Sequence, residues 1–212
     1  MLSLFVVAVA FVSVGADFPG KLHLTVYYES ACPDSKAFII NELQPAMNLL
    51  QDFLNLQLVP FGKARSINNG YGGFRCQHGA PECLGNLIQD CTLDLMSSRS
   101  DMDKVEYIVC EMQTKASTRG DLHCAIKSNV PSQLVQNCVS SNQGIGLQLK
   151  SEYLTKMVQP SFIPTVTFDG AFNQKLQDNA IDDLIGTLCS ILKDAKPCAE
   201  YYNTQALMSM MG

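Results

Sequence analysis

The sequence has no tryptophan, no Asn-x-Ser/Thr acceptor, no basic cluster and no long apolar run after its first residues. Each absence excludes something. Without an acceptor, an N-linked glycan is not expected, and neither is delivery by a glycan tag. Fifteen Lys and Arg stand against 20 Asp and Glu, for a net charge of -5, so the basic footprint of an electrostatic nucleic-acid binder is missing. The apolar run from Leu2 to Val12 is too short to span a bilayer. It contains no acid or base, and the small residues Val14-Gly15-Ala16 follow it, which predicts a secretory signal over 1–16 cleaved after Ala16. A membrane anchor is the alternative, and the shortness of the run disfavours it. The remainder is long enough for one domain with a sizeable core, taken here as 17–200 with a C-terminal tail at 201–212.

Cysteine is what the chain has in abundance. Nine cysteines in a secretory chain imply disulfides, because the compartment is oxidising. Nine is odd, so at least one sulfur stays free, pairs with another molecule or is chemically active. Were the other eight all paired, about 105 connectivities would remain open.

Leu22, Leu24, Val26 and Tyr28 alternate with His23, Thr25 and Tyr27, which predicts a strand ended by Glu29-Ser30-Ala31-Cys32-Pro33. Ala37, Phe38, Ile40, Leu43, Ala46, Met47 and Leu50 then recur at helical spacing, with Pro45 expected to kink or end the helix. Leu54, Leu56, Leu58 and Phe61 predict a second strand, making a βαβ unit with a parallel pair. From about 64 to 142 the chain reads as a helical insertion tied by disulfides, with apolar faces at Leu84, Leu87, Ile88, Cys91 and Leu95 and at Val105, Ile108, Val109 and Met112. Leu147, Leu149, Tyr153, Leu154 and Met157 suggest a further helix. A strand follows Ile163-Pro164 and ends in the Asp169-Gly170 turn. Ile181, Leu184, Ile185, Leu188, Ile191 and Leu192 predict one closing amphipathic helix, and the methionine-rich tail beyond Lys196 shows little pattern.

Cys32-Pro33-Asp34-Ser35 lies where the first strand meets the first helix. Pro33 suits the first helical position because its φ is preset and it has no N–H to leave unpaired. Cys32 then becomes the N-cap, with its sulfur facing the free N–H groups of the first turn. That placement favours a thiolate over a thiol. The Asp34 carboxylate opposes it from farther away. The Ser35 hydroxyl, three residues on, offers one more hydrogen bond to the sulfur.

Farther along, Cys76-Gln77-His78-Gly79-Ala80-Pro81-Glu82-Cys83 continues through Asn86 to Cys91. This stretch resembles the signature of the gamma-interferon-inducible lysosomal thiol reductase family, C-Q-H-G-x2-E-C-x2-N-x4-C, with every fixed position filled. The resemblance implies an α/β thioredoxin-like fold with a disulfide-rich helical insertion. It also implies a thiol oxidoreductase acting on disulfides of unfolding proteins, in an acidic compartment linked to antigen processing or host defence. Family members usually carry a second, resolving cysteine where this chain has Ser35. Cys32 can still attack a disulfide, but the mixed disulfide must then be resolved by the substrate's own thiol or by a small thiol such as cysteine or glutathione. Restoring a cysteine at 35 would make the cysteine count even, which marks Cys32 as the candidate unpaired sulfur; the alternative is that Cys32 pairs and another cysteine is odd.

Pro164 resembles the cis-proline of thioredoxin-like proteins, with Ile163, Pro164 and Pro33 as expected substrate contacts. Cys76, Cys83, Cys91, Cys110, Cys124, Cys138, Cys189 and Cys198 are expected in structural disulfides. For His78 the favoured role is ordering the insertion's first loop, rather than acting as a base or as a zinc ligand with Cys76 and Cys83. No metal and no cofactor beyond the small thiol are expected. The expected partners are disulfide-containing proteins, with neither nucleic acid nor a membrane span after signal removal, and the expected location is secreted or endosomal and lysosomal. The competing reading is a redox-inactive thioredoxin-like module that binds unfolded or partner proteins.

Overall fold

A computed structural model describes residues 20–211. The signal expected over 1–16 and its membrane-anchor alternative lie outside the described residues. Strand β1 (Leu22–Tyr28) is the middle of a three-stranded sheet of order β2-β1-β5. It pairs in parallel with β2 (Leu54–Pro60), from Leu22 opposite Leu54 to Tyr28 opposite Pro60. It pairs antiparallel with β5 (Thr165–Phe168), Tyr27 opposite Thr165. Consecutive residues from Leu24 to Tyr28 are buried, because a central strand is covered on both faces.

Between β1 and β2 the helix starts at Pro33, and Pro45 does not break it. Pro45 lacks the N–H that an α-helix would give to residue 41. The backbone instead widens into π form over Ile39–Leu43, with the Gln44 N–H on the Ile39 carbonyl. The chain is therefore α1 (Pro33–Phe38), this wider turn, then α2 (Gln44–Leu50).

After β2 a short hairpin, β3 (Arg65–Ser66) with β4 (Phe74–Arg75), leads into the helical region. Five helices follow: α3 (Ala80–Leu95), α4 (Asp101–Thr114), α5 (His123–Lys127), α6 (Ser132–Val139) and α7 (Asn142–Val158). Cys76–Cys83 closes the turn ahead of α3, Cys91–Cys138 joins α3 to α6, and Cys110–Cys124 joins α4 to α5. Val105, Ile108, Val109 and Met112 are buried on α4.

Three elements differ from the sequence expectation. The buried face of α7 is polar, comprising Gln148, Ser151, Glu152 and Thr155, whereas Tyr153 and Met157 are 63% and 69% exposed. The cause is Asp90 of α3, which accepts from Gln148 Nε2 at 2.6 Å and from Ser151 Oγ at 2.8 Å. The closing helix is two helices, α8 (Gln174–Asp182) and α9 (Leu184–Ile191). Asp183 leaves the helical conformation, at φ -155° and ψ 85°, and caps α9 by accepting from the Gly186 N–H at 2.8 Å, which stops one helix and starts the next. The tail forms α10 (Lys196–Met211), anchored by Cys189–Cys198 and by the Tyr201 hydroxyl donating to Asp183 at 3.1 Å. Its fixed points are a disulfide and a hydroxyl, so apolar spacing does not reveal it.

Candidate active site

Glu29, Ser30 and Ala31 carry the chain from β1 to Cys32, which is the N-cap of α1 with Pro33 at the helix start. The Ser35 backbone N–H donates to Cys32 Sγ at 3.4 Å. The Ser35 hydroxyl, expected at the sulfur, instead accepts from the Glu29 N–H at 3.2 Å and helps shape the loop. On its other side the thiol donates to the Ile163 carbonyl at 3.8 Å, and the Ile163–Pro164 peptide is cis. Cys32 is 6% exposed, beneath the exposed Pro33 and Asp34. Among the described residues it is the free cysteine, the other eight being in disulfides. Gln177 of α8 holds the proline turn from behind: its Nε2 donates to the Pro164 carbonyl at 3.1 Å and its Oε1 accepts from the Val166 N–H at 2.7 Å.

The start of α3 packs against the same loop. Asn86 Oδ1 accepts from the Ser30 N–H at 2.9 Å, and Ser30 Oγ donates to the Glu82 carbonyl at 3.0 Å. Gly85 leaves the room for Ser30, since a Cβ there would strike the serine hydroxyl. Glu82 is fully buried and grips His78 twice, accepting from its backbone N–H at 3.1 Å and bonding its ring Nδ1. The same Nδ1 lies 3.3 Å from Oε2 of Glu29, also fully buried. Glu29 Oε1 accepts from the Lys63 N–H at 2.7 Å, whereas its Oε2 has no hydrogen-bond donor. Burial pushes the Glu29 carboxyl above its usual range; the Lys63 N–H pulls it back and the Glu82 charge pushes it up again. Gly62, at φ +57°, makes space for this carboxylate. Donor atoms of Glu29, Cys32 and His78 all lie within 4.8 Å of one another.

The family model for gamma interferon inducible lysosomal thiol reductase matches residues 23–142. The chain belongs to this family. It is 31% identical over 182 residues to the gamma-interferon-inducible lysosomal thiol reductase of Carassius auratus, covering 83% of this chain and 70% of that one. It is 30% identical over 207 residues to the gamma-interferon-inducible lysosomal thiol reductase-like protein of Anopheles gambiae, covering 91% of this chain and 86% of that one. In fold it is similar to the crystal structure of Chlamydia trachomatis DsbA, with TM-score 0.52 and 17% identity over 81% of this chain and 88% of that one. Pseudomonas aeruginosa DsbA gives TM-score 0.50 at 16% identity, over 85% and 91% of the two chains. The fold is thioredoxin-like.

The family signature thus has a physical content here. Its cysteines form Cys76–Cys83 and half of Cys91–Cys138, and Gly79, at φ +85°, caps α3. Its His78, Glu82 and Asn86 reach the loop that delivers Cys32. In sequence terms His78 orders the insertion's first loop, while Glu29, Glu82 and Asn86 carry no expected role. One signal was available, the i, i+4 spacing of His78 and Glu82 across a helix start. Among the described residues, two clusters have donors close enough for a metal ion. In Cys110, His123 and Cys124 both sulfurs are spent in a disulfide. In Glu29, Cys32 and His78, Glu82 already takes ring Nδ1, so the cluster suits the handling of a proton better than the holding of a cation.

Proposed function

We propose that the chain reduces or exchanges protein disulfides with Cys32 as its single nucleophile and an external small thiol as its resolver. One observation carries this reading: the unpaired sulfur sits at the head of α1 between the Ser35 N–H and the Ile163 carbonyl, beside the cis-Pro164 turn. The Cys32 thiolate attacks a substrate disulfide, forming a mixed disulfide and releasing the first substrate sulfur as a thiolate that takes up a proton. A small thiol, cysteine or glutathione, then gives up its proton, attacks the substrate sulfur of that mixed disulfide and regenerates Cys32. A second equivalent of small thiol reduces the substrate–small-thiol disulfide that this leaves. Pro33, Ile163 and Pro164 border the sulfur where a substrate peptide would lie, and Ser35 shapes the loop. The compartment that fits is secretory or endolysosomal.

The test is disulfide reduction by the mature protein and by Cys32→Ser, with cysteine or glutathione in excess. Turnover that requires both Cys32 and the small thiol is expected. Equal background rates from the two proteins, with Cys32 freely alkylated in the native fold, would overturn the proposal and favour a module that binds partners without turnover.

A further inference from the structure

We infer that His78, held between the buried carboxylates of Glu82 and Glu29, takes the proton from the incoming small thiol and returns one to the departing substrate sulfur at Cys32. The inference rests on the monothiol reading above and assigns the proton traffic which that reading leaves open.

Three observations carry it. A ring nitrogen of His78 lies within 4.8 Å of Cys32 Sγ, and the side chain is 33% exposed, so solvent reaches it. Its ring is fixed, because Glu82 holds both the backbone N–H and Nδ1. And the cluster has an unfilled place: one ring N–H cannot serve two carboxylates, so Glu29 Oε2 is buried with no donor. Leaving a buried carboxylate oxygen unpaired costs stability, and a purely structural cluster gains nothing from keeping it so. A proton on the imidazole turns the 3.3 Å approach to Glu29 into an ion pair. The titratable groups beside His78 are Glu29 after β1, Glu82 on α3 and Cys32 at the head of α1, and Lys63 in the loop after β2 lies against Glu29. Arg65 and Arg75 are exposed beside the neighbouring Gln77.

The chemistry balances. When Cys32 attacks, the bond between the two substrate sulfurs breaks, a Cys32–substrate disulfide forms, and the departing thiolate takes its proton from imidazolium. When the small thiol attacks, neutral imidazole takes its proton, the new disulfide joins small thiol and substrate, and Cys32 leaves as thiolate. The gain is largest in acid. A thiol of ordinary pKa ~8.5 is ionised in only about one molecule in 3,000 at pH 5, so an unaided reductant is nearly inert there.

The experiment isolates the second step. The native protein is loaded with glutathione on Cys32 and the loss of the adduct to added cysteine is followed by intact mass from about pH 5 to 8, alongside a free glutathione mixed disulfide as reference. The reference rate rises about tenfold per pH unit, following cysteine ionisation. Wild type is expected to show a shallower profile than the reference. His78→Gln is expected to release glutathione at least tenfold more slowly at pH 5 and to converge on wild type near pH 8, and added imidazole should restore His78→Ala. Equal rates and profiles, or one constant factor at every pH with no rescue by imidazole, would overturn the inference. If His78→Gln does not fold, the wild-type profile decides: one parallel to the reference overturns it and a flatter one supports it. If Cys32 takes no glutathione at all, the monothiol reading itself has failed.

Discussion

Two regions meet at Cys32, and they are held together by different means. The frame of β1, β2 and the helix between them contains one cysteine, which is free, and its core is apolar: Leu24, Val26, Ile39, Leu43, Met47 and Leu50 are fully buried. The region between β2 and β5 locks Cys76, Cys83, Cys91, Cys110, Cys124 and Cys138 into three disulfides and buries Glu82, Asn86, Gln89, Asp90, Glu111 and Gln148. A frame packed by apolar side chains needs no cross-link, and it leaves its sulfur available for chemistry. A helical region with this much buried polar surface gains less from hydrophobic burial and is secured covalently. Two of those polar groups, Glu82 and Asn86, also reach across to the loop that carries Cys32.

Removing a cross-link from the second region is the strongest way to test this contrast. Closing the 47-residue separation of Cys91 and Cys138 is worth about 4 kcal/mol in the chain-entropy model, against about 2.5 kcal/mol for the seven-residue separation of Cys76 and Cys83. The double substitution Cys91→Ala/Cys138→Ala is therefore expected to lose about 1.5 kcal/mol more, by denaturant titration, than Cys76→Ala/Cys83→Ala. Equal losses would mean that local packing, rather than loop closure, sets the contribution of these bonds.

Asp90 tests the polar half of the comparison through pH. Burial pushes its carboxyl up to about 7 from 3.8, and the hydrogen bonds from Ser151 and Gln148 only partly offset this. Because the folded-state value lies above the unfolded one, the protonated form is favoured by folding. The stability it confers is complete below about pH 4 and is lost as pH rises through about 7. The loss across that window is at most about 4 kcal/mol, and the raised carboxyls of Glu29 and Glu111 act in the same direction. Asp90→Asn should flatten the stability profile between those limits; an unchanged slope would show that Asp90 stays charged in the fold. These three carboxyls favour the fold in acid, while Glu152 and Asp121, held below their usual range, act the other way.

The same difference decides what could be read from the sequence. β1, β2 and the helix between them follow apolar alternation and helical spacing, and the Cys32-Pro33 helix start follows from backbone chemistry alone. The π turn at Ile39–Leu43 answers Pro45 in a way that a kink-or-stop rule does not anticipate. On α7 the pattern misleads, because the buried side of the helix faces Asp90 and is polar. His78 and Glu82 were visible as signature positions, but nothing in their spacing tells that a loop almost fifty residues upstream presents Glu29 to the same ring.

Gly62 lies where the two regions touch. Gly62→Ala places a Cβ in a left-handed conformation, costing about 1–2 kcal/mol, and drives it against the Glu29 side chain. A thermal melt should show that loss. If the melt falls and the glutathione-release profile does not change, the place of Glu29 beside His78 is incidental to the chemistry.

The smallest expected effect asks whether the frame still has the geometry of a dithiol site. Ser35 lies one helical turn from Cys32, with its N–H 3.4 Å from the sulfur and its side chain buried beside the loop. Ser35→Cys replaces the acceptor for the Glu29 N–H by a weaker one, at about 1 kcal/mol in stability. In exchange, the second sulfur can close a disulfide with Cys32 and expel the substrate without waiting for a small thiol. Turnover at limiting small thiol is then expected to rise about tenfold, and in a single turnover both substrate thiols should appear before any reductant is added. The gain should also lose its dependence on His78 in the resolving step, since no external thiol has to be deprotonated there. A Ser35→Cys protein that folds, closes no disulfide with Cys32 and still needs small thiol for every release would show that the loop gripped by Asn86, Glu82 and His78 has been reshaped for monothiol work, beyond the loss of one sulfur.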